Sequence, residues 1–429
     1  MPRPALVTLL IVVALAAPAR AQWPLTSCTA LGKNLFVRDV LTDLYLWFDE
    51  MPGANPGRYA TPERFLEALR YRPLDSTFSY ITSRAAADAF FTESRFVGIG
   101  ISTAITVEGQ VRVLQVFPGS PAAEAGLARG DRILAIDGVA VSQLAGAGAI
   151  DAAFGPAEEG AAVELVVADR AGARRASRLV KRPVVIPTVS LVRVLDAGGR
   201  RVGYIFFRNF VEPSHAALDD AFATLAAAHV DDLVLDVRYN GGGLVSVAQH
   251  LASLIGGVRT DGQVFARYVH NDRNTYRNEV LRFDRRPGAL SLERLIVITT
   301  RASASASELV INALIPFMRV VIVGDRTYGK PVGQYQVPFC DKLLAPVSFS
   351  MRNADGAGDF FGGLPPTCAA PDDLEHELGD PAEGSLREAL TFASTGSCTR
   401  RPGGSTHLLP GARAAQAAPA GWQSVINAY

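Results

Sequence analysis

The run Arg301-Ala-Ser-Ala-Ser-Ala-Ser-Glu308 and, further along, Thr327-Tyr-Gly-Lys330 hold the residues best suited to chemistry. A serine hydroxyl is a poor nucleophile near neutral pH and needs a neighbour that takes its proton as the new bond forms. No histidine is placed for that task. The six (His215, His229, His250, His270, His376 and His407) are scattered, and none lies in a Gly-x-Ser-x-Gly elbow or a His-Glu-x-x-His helix. A lysine serves instead if burial disfavours its charged form, which means lowering its pKa from about 10.4 to roughly 7 to 8, at a cost of about 4 kcal/mol. Such a lysine needs a dry, well-packed pocket.

The flanking pattern supplies elements able to build one. Leu295-Ile-Val-Ile298 is a short apolar run of the buried-strand type, and Glu308 to Ile315 is apolar with helical character until Pro316. Ser305 then sits at a strand-to-helix junction, where free amides such as that of Ala306 can hold an oxyanion. Two plainer readings compete. Ser305-Ala-Ser-Glu308 also fits a capping box, and a lysine after a Tyr-Gly turn is commonly a solvated charge. Gly324 to Lys330 matches the start of a phosphate-binding loop, but Pro331 stands where that loop needs a magnesium-ligating Ser or Thr, and a strand-like run follows instead of a helix.

The chain's bulk properties narrow the classes of function. Its 429 residues suffice for two or three domains with real cores. Forty-two basic residues balance forty-two acidic ones, so there is no net field to draw in nucleic acid or an anionic membrane. Arg3, an apolar stretch from Ala5 to Ala17 and Pro18-Ala-Arg-Ala21 read as a signal peptide over residues 1–21, cleaved near Ala21. The stretch is short for a membrane span, and Gln22 rather than Cys follows the cut, so no stable membrane anchor is expected and the mature chain is periplasmic or secreted. Cys28, Cys340, Cys368 and Cys398 suit an oxidising compartment and allow three pairings. We expect Cys340 with Cys368, closing a loop after the lysine segment, and Cys28 with Cys398, tying the two ends together. Their spacing is not that of a metal site.

Residues 22–93 read as a small helical domain, with apolar positions Leu35, Val37, Val40, Leu41, Leu44 and Trp47 on one face and a second helix over 61–69. From 94 to 185 short β-rich runs alternate with glycine turns. Within them Pro121-Ala-Ala-Glu-Ala-Gly-Leu-Ala-Arg-Gly-Asp-Arg-Ile133 closely resembles the hallmark of a PDZ domain. By that resemblance Val97, Gly98, Ile99, Gly100 and Ile101 form the carboxylate-binding loop and the strand after it, where a peptide C-terminus adds a strand to the sheet edge. The plainer reading is that Gly98 and Gly100 only shape a hairpin; as a dinucleotide fingerprint the segment lacks its third glycine. From 186 to 398 strands and helices alternate, including Leu233-Val-Leu-Asp236, the turn Asn240-Gly-Gly-Gly243 and a helix from Val245 to Ile255. Residues 399–429, rich in Pro, Gly and Ala, read as a disordered tail.

Taken in order, the PDZ run, Leu235-Asp-Val-Arg-Tyr-Asn-Gly-Gly-Gly243, Ser303-Ala-Ser-Ala-Ser-Glu308 and Tyr328-Gly-Lys330 resemble the C-terminal processing peptidases, or tail-specific proteases, over roughly residues 95–395. The resemblance implies an α/β multidomain fold: an N-terminal helical region, a β-rich PDZ domain and an α/β catalytic core. It implies Ser305 as nucleophile, Lys330 as general base and Gln334 as the residue positioning the lysine. The oxyanion hole would use the Ala306 amide and that of Gly242 or Gly243. It further implies polypeptide substrates with accessible C-termini, no cofactor and no metal. Gly241 and Pro331 depart from the common pattern, which leaves open how the site is gated. Two rival readings keep the fold with other activity. One is a binding protein without turnover, which would have lost the serine or the lysine; the other is a small-ester hydrolase, against which the PDZ run argues.

Overall fold

The computed structural model describes residues 23–399 apart from 26 and 107. The expected signal peptide and the expected tail from residue 400 lie outside the described residues. Among the described residues, no helix is long and apolar enough to cross a membrane.

The central sheet has six strands in the order Val189–Ala197, Arg200–Phe207, Asp232–Asp236, Arg294–Thr299, Arg319–Gly324 and Cys368–Ala369. Only the first pair is antiparallel; the others run parallel. Parallel strands buried on both faces read as continuous apolar runs, and these do, because successive side chains feed two different cores. Leu233, Leu235, Leu295 and Val297 pack with the helices Ser214–Ala227, Val245–Gly256 and Ala306–Leu314. Val234, Ile296 and Ile298 pack on the other side with Leu386, Ala389 and Phe392 of the helix Gly384–Thr395. Each fully buried Leu or Ile here stabilises the fold by about 1.5–3 kcal/mol relative to an exposed one.

This topology places the candidate chemistry. In open parallel sheets, sites form beyond the carboxyl ends of the strands. Three neighbouring strands end at Asp236, Thr299 and Gly324, and they lead respectively to Asn240-Gly-Gly-Gly243, to Ser305 and to Lys330.

The N-terminal region carries the helices Ala30–Leu44, Pro62–Leu69 and Arg84–Glu93, but it is not wholly helical. Its strand Tyr80–Ser83 pairs antiparallel with Lys342–Ala345, which pairs in turn with Val337–Phe339. The expected single strand after Lys330 is two short ones, Val332–Gln334 and Val337–Phe339, broken at Tyr335 and Gln336. The first joins a four-stranded sheet with Val347–Arg352, while the second serves the N-terminal region.

That division explains why the expected disulfide pairing is wrong. The bonds are Cys28–Cys340 and Cys368–Cys398. Cys340 lies in the turn between Val337–Phe339 and Lys342–Ala345, and this hairpin packs on the first helix: Phe339 stacks on Phe36 at 5.1 Å and Asp341 pairs with Lys33 at 2.8 Å. Cys368 lies in the edge strand of the central sheet, within reach of the end of the last helix. Proximity across the fold, not order along the chain, selected the partners.

The β-rich module has the antiparallel strand order Ile101–Ile105, Val111–Val116, Arg132–Ile136, Ala162–Ala168, Arg174–Val180 around its own core, including Val113, Leu127, Ile136 and Leu165. It docks on the α/β core through Arg129. That guanidinium donates to the Leu114 carbonyl at 2.8 Å, the Tyr239 hydroxyl at 2.6 Å and Asp372 at 3.0 Å.

Candidate active site

The run Ser303-Ala-Ser-Ala-Ser307 presents three hydroxyls, and their surroundings separate them. Ser303 is buried and donates to the Val237 carbonyl at 2.8 Å; Ser307 is buried and donates to the Asn240 carbonyl at 2.9 Å. Both tie the serine turn to the strand-exit loop beside it. Ser305, between them, lines a cavity of about 200 Å³ together with Gly241, Gly242, Gly243, Ala306, Lys330, Gln334, Phe349 and Met351. Tyr80, Phe90 and Phe91 close it from the N-terminal region. No histidine is among the lining residues.

The backbone distinguishes Ser305 from a simple helix cap. Thr29, Thr61, Ser83 and Ser120 precede helices in the usual extended conformation, and each accepts from the amide three residues on. Ser305 instead has φ +55° and ψ −111°. A non-glycine residue held there costs about 1–3 kcal/mol, and such strain collects at functional sites. Glu308 is what holds it. This wholly buried carboxylate accepts from the Ser305 amide at 2.9 Å and the Lys330 amide at 2.8 Å. It also accepts from the Gly329 amide at 2.7 Å and the Thr327 hydroxyl at 2.6 Å. Burial raises its pKa, and these four donors oppose the rise. In the sequence Glu308 is half of a capping box. It is also the clasp between the serine turn and the lysine loop.

Gly242 lies against the serine. With φ +101°, a Cβ there would stand 2.8 Å from the Ser305 Cβ and 2.9 Å from the Ala306 nitrogen, so only glycine permits the approach. Its amide is engaged, donating to Asn240 Oδ1 at 2.9 Å. Gly243 is held by a bridge to Phe210, whose carbonyl accepts from the Leu244 amide at 2.7 Å. Beneath this turn Arg238 is fully buried and paired with Asp236 at 2.8 Å, Glu383 at 2.8 Å and Asp372 at 3.0 Å. Removing one member of such a network costs about 3–5 kcal/mol by leaving a buried charge without its partner.

Lys330 is half-buried. Its ammonium donates to Gln334 Oε1 at 2.5 Å and lies 5.9 Å from the Phe78 ring centre. Desolvation lowers its pKa to about 8, against the pull of the Asp75 and Glu308 charges. Gln334 in turn donates from Nε2 to the Phe78 carbonyl at 2.5 Å and the Ala345 carbonyl at 3.0 Å. Phe78 belongs to the N-terminal region, for which the sequence suggests no role in the site. A backbone carbonyl carries no signal in sequence, so nothing there could have found it.

The remaining expected residues lie apart from this cavity. Val97 and Gly98 sit in a strand, Arg95–Gly98, paired with Arg182–Val185. Ile101 opens the edge strand of the β-rich sheet. The Ile99 and Gly100 carbonyls accept from the Ala122 and Phe117 amides, at 2.9 Å each, which braces this loop against the short helix Pro121–Glu124.

Three family models match the chain: peptidase family S41 over residues 201–368, a PDZ domain over 112–168 and the peptidase S41 N-terminal domain over 33–80. The chloroplastic C-terminal processing peptidase of Tetradesmus obliquus is 31% identical over 272 residues, 60% of this chain and 56% of that protein. The carboxy-terminal-processing protease of Bartonella bacilliformis is 32% identical over 276 residues, 62% of this chain and 59% of that protein. The chain thus spans less than two thirds of the length of these relatives. A Bacteroides fragilis structure, solved as an S41 protease candidate, is 26% identical with a TM-score of 0.67 over 84% of this chain and 97% of that one. The photosystem II D1 C-terminal processing protease, at 23% identity and a TM-score of 0.51 over 79% and 92%, shares the fold.

Proposed function

The chain belongs to peptidase family S41, and from that premise we propose that it is an exported serine endopeptidase working through Ser305 and Lys330. The observation that carries the reading is the strained Ser305, one of three serines in its run and the one facing the cavity, opposite a lysine whose proton affinity burial has lowered. As a free amine, Lys330 takes the Ser305 proton while Oγ attacks a peptide carbonyl carbon. The carbonyl π pair moves to oxygen, and the Ala306 and Gly243 amides receive that oxyanion; the Gly242 amide is already engaged by Asn240. The protonated lysine then gives its proton to the leaving amine, and water hydrolyses the acyl-enzyme by the same steps. Gln334 holds the lysine throughout.

The PDZ domain supports substrates with a free C-terminus, captured by strand addition along Ile101–Ile105 beside the 97–101 loop. Two disulfides support an oxidising compartment, periplasmic or extracellular. We assign the N-terminal domain to 22–93, the PDZ domain to 94–185 and the peptidase domain to 186–398.

Incubation with an unfolded protein, with cleavage sites mapped by mass spectrometry, tests the reading. The expected result is cleavage by the wild-type chain and none by Ser305→Ala at unchanged circular dichroism; equal cleavage by both overturns it. A peptide substrate with an amidated C-terminus should bind more weakly than its free acid, and equal affinity removes the tail-binding role.

A further inference from the structure

Gln334 has two chemically different ends, and which end meets Lys330 decides what the lysine can do. With Oε1 toward it, a neutral amine keeps one N–H donated to the glutamine and has its lone pair available for the serine. With Nε2 toward it, a protonated lysine faces a second donor, and a neutral amine gives its lone pair to the amide instead of to the serine. The Phe78 and Ala345 carbonyls both accept from Nε2, so the amide has one satisfied orientation, with Oε1 on Lys330.

The Phe78 carbonyl is itself held by a built device. Asp75 is wholly buried, and one of its oxygens accepts from the Phe78 and Ser79 amides at 2.9 Å each. The other accepts from the Ser79 hydroxyl at 2.6 Å and the Tyr45 hydroxyl at 2.9 Å. The turn from Asp75 to Ser79 is therefore closed around the carboxylate. Ser79 Oγ accepts from the Val347 amide at 2.9 Å and Thr77 meets the Tyr328 hydroxyl at 2.7 Å, which pins the turn to the lysine side of the core.

We propose that Asp75 is a positioning residue of the active site, acting from the N-terminal region through the Phe78 carbonyl and Gln334 to orient Lys330. The inference rests on the peptidase reading above and adds a residue outside the Ser, Lys and Gln set. Its charge acts as well as its shape. The charged and titratable groups facing Lys330 are Asp75 and Glu308, both favouring the protonated amine, with the neutral Tyr80 hydroxyl on the cavity wall. Those facing Asp75 are Lys330, Tyr45 and Tyr328, while Arg70, paired with Glu67, acts on the same two tyrosines. Without the Asp75 charge, Lys330 loses one of two carboxylates that favour its protonated state, so it gives up its proton at lower pH.

The test reads Lys330 directly. The chain has four lysines (Lys33, Lys181, Lys330 and Lys342), so 13C-labelled lysine gives four side-chain signals, assignable with Lys→Arg variants. In full-length Asp75→Asn, the Lys330 titration should move down by at least about half a pH unit, and the acidic limb of kcat/KM should move with it. A Lys330 midpoint that is unmoved or raised overturns the proposal. Should Asp75→Asn fail to fold, Tyr45→Phe serves: it strips one O–H dipole from the carboxylate and leaves the charge, so the midpoint should rise by a smaller amount, and no rise overturns the proposal. A wild-type chain that cleaves nothing sinks the peptidase reading while the titration remains measurable. A wild-type chain that cleaves, with Lys330 unmoved in the variant, sinks this inference alone.

Discussion

Two of the four lysines are drawn into the fold, and burial disfavours the charged form of both, yet they are opposites in chemistry. Lys181, at the edge of the PDZ module and 4% exposed, donates to the carbonyls of Phe154, Gly155 and Pro156 at 2.7, 3.0 and 2.6 Å. Three donors meet three acceptors. Loss of a proton would leave one of these carbonyls without its donor, at about 1–3 kcal/mol if it is that of the buried Phe154, so Lys181 stays a structural cation that closes the loop after the helix Ala147–Ala153. Among the described residues, Lys330 has a single oxygen acceptor, Gln334 Oε1, and an aromatic ring nearby. Losing a proton orphans nothing there, because the neutral amine still serves the glutamine. Desolvation lowers a lysine's pKa, but it is the count of acceptors around the nitrogen that separates a base from a brace.

The largest expected difference comes from replacing each lysine with methionine. Lys330→Met should cut turnover on the order of a thousandfold with the fold intact, as loss of a general base does. Lys181→Met should leave kcat/KM unchanged and lower unfolding stability by about 2 kcal/mol, measured by denaturant titration. If both variants lose turnover equally, the distinction between base and brace fails.

A smaller loss is expected from Glu308→Gln. Each Glu308 oxygen accepts from at least one backbone amide, so whichever position the new amide nitrogen takes, a donor faces a donor. The serine turn and the lysine loop should then shift apart, with kcat falling about a hundredfold because small misplacements at a reacting pair cost that much. Normal turnover would show that Lys330 needs no clasp and that its acceptor set alone suffices.

The mildest test perturbs no residue. A protonated amine cannot accept the serine proton, so kcat/KM should rise with pH through a midpoint of about 8, where Lys330 deprotonates. The same limb should appear in Lys181→Met. A limb that moved in that variant would tie the PDZ lysine to the chemistry and erase the contrast.

How much of this was legible beforehand varies with how local each feature is. The strand to Thr299, the helix from Ala306 and the turn at Asn240 follow from apolar runs bounded by Gly, Ser and Pro, because hydrophobic period and breakers act over a few residues. The strands Val111–Val116, Arg132–Ile136 and Ala162–Ala168 are equally plain, whereas Arg174–Val180, rich in arginine and serine, is not. The N-terminal region was read as helical because Tyr80–Ser83 is only four residues long and finds its partner at Lys342–Ala345. The cysteine pairing failed for the same reason: chain order suggested closing loops, whereas the hairpin bearing Cys340 had crossed to the N-terminal region. Asp75 drew no notice, since a buried aspartate and an exposed turn aspartate are the same letter.

Sequence by itself determined the reacting types and their order: a serine at a helix start, a lone lysine among apolar neighbours, a glycine turn between two of the strands and a PDZ run before them. These are properties of short segments, and short segments carry their own conformational preferences. Tertiary structure decided which serine faces the cavity, which glycine amide is already engaged, which way the Gln334 amide points and which lysine keeps an available lone pair. Each of those depends on where distant carbonyls and carboxylates come to rest, and a hydrogen-bond acceptor count exists only once the chain has folded around the nitrogen.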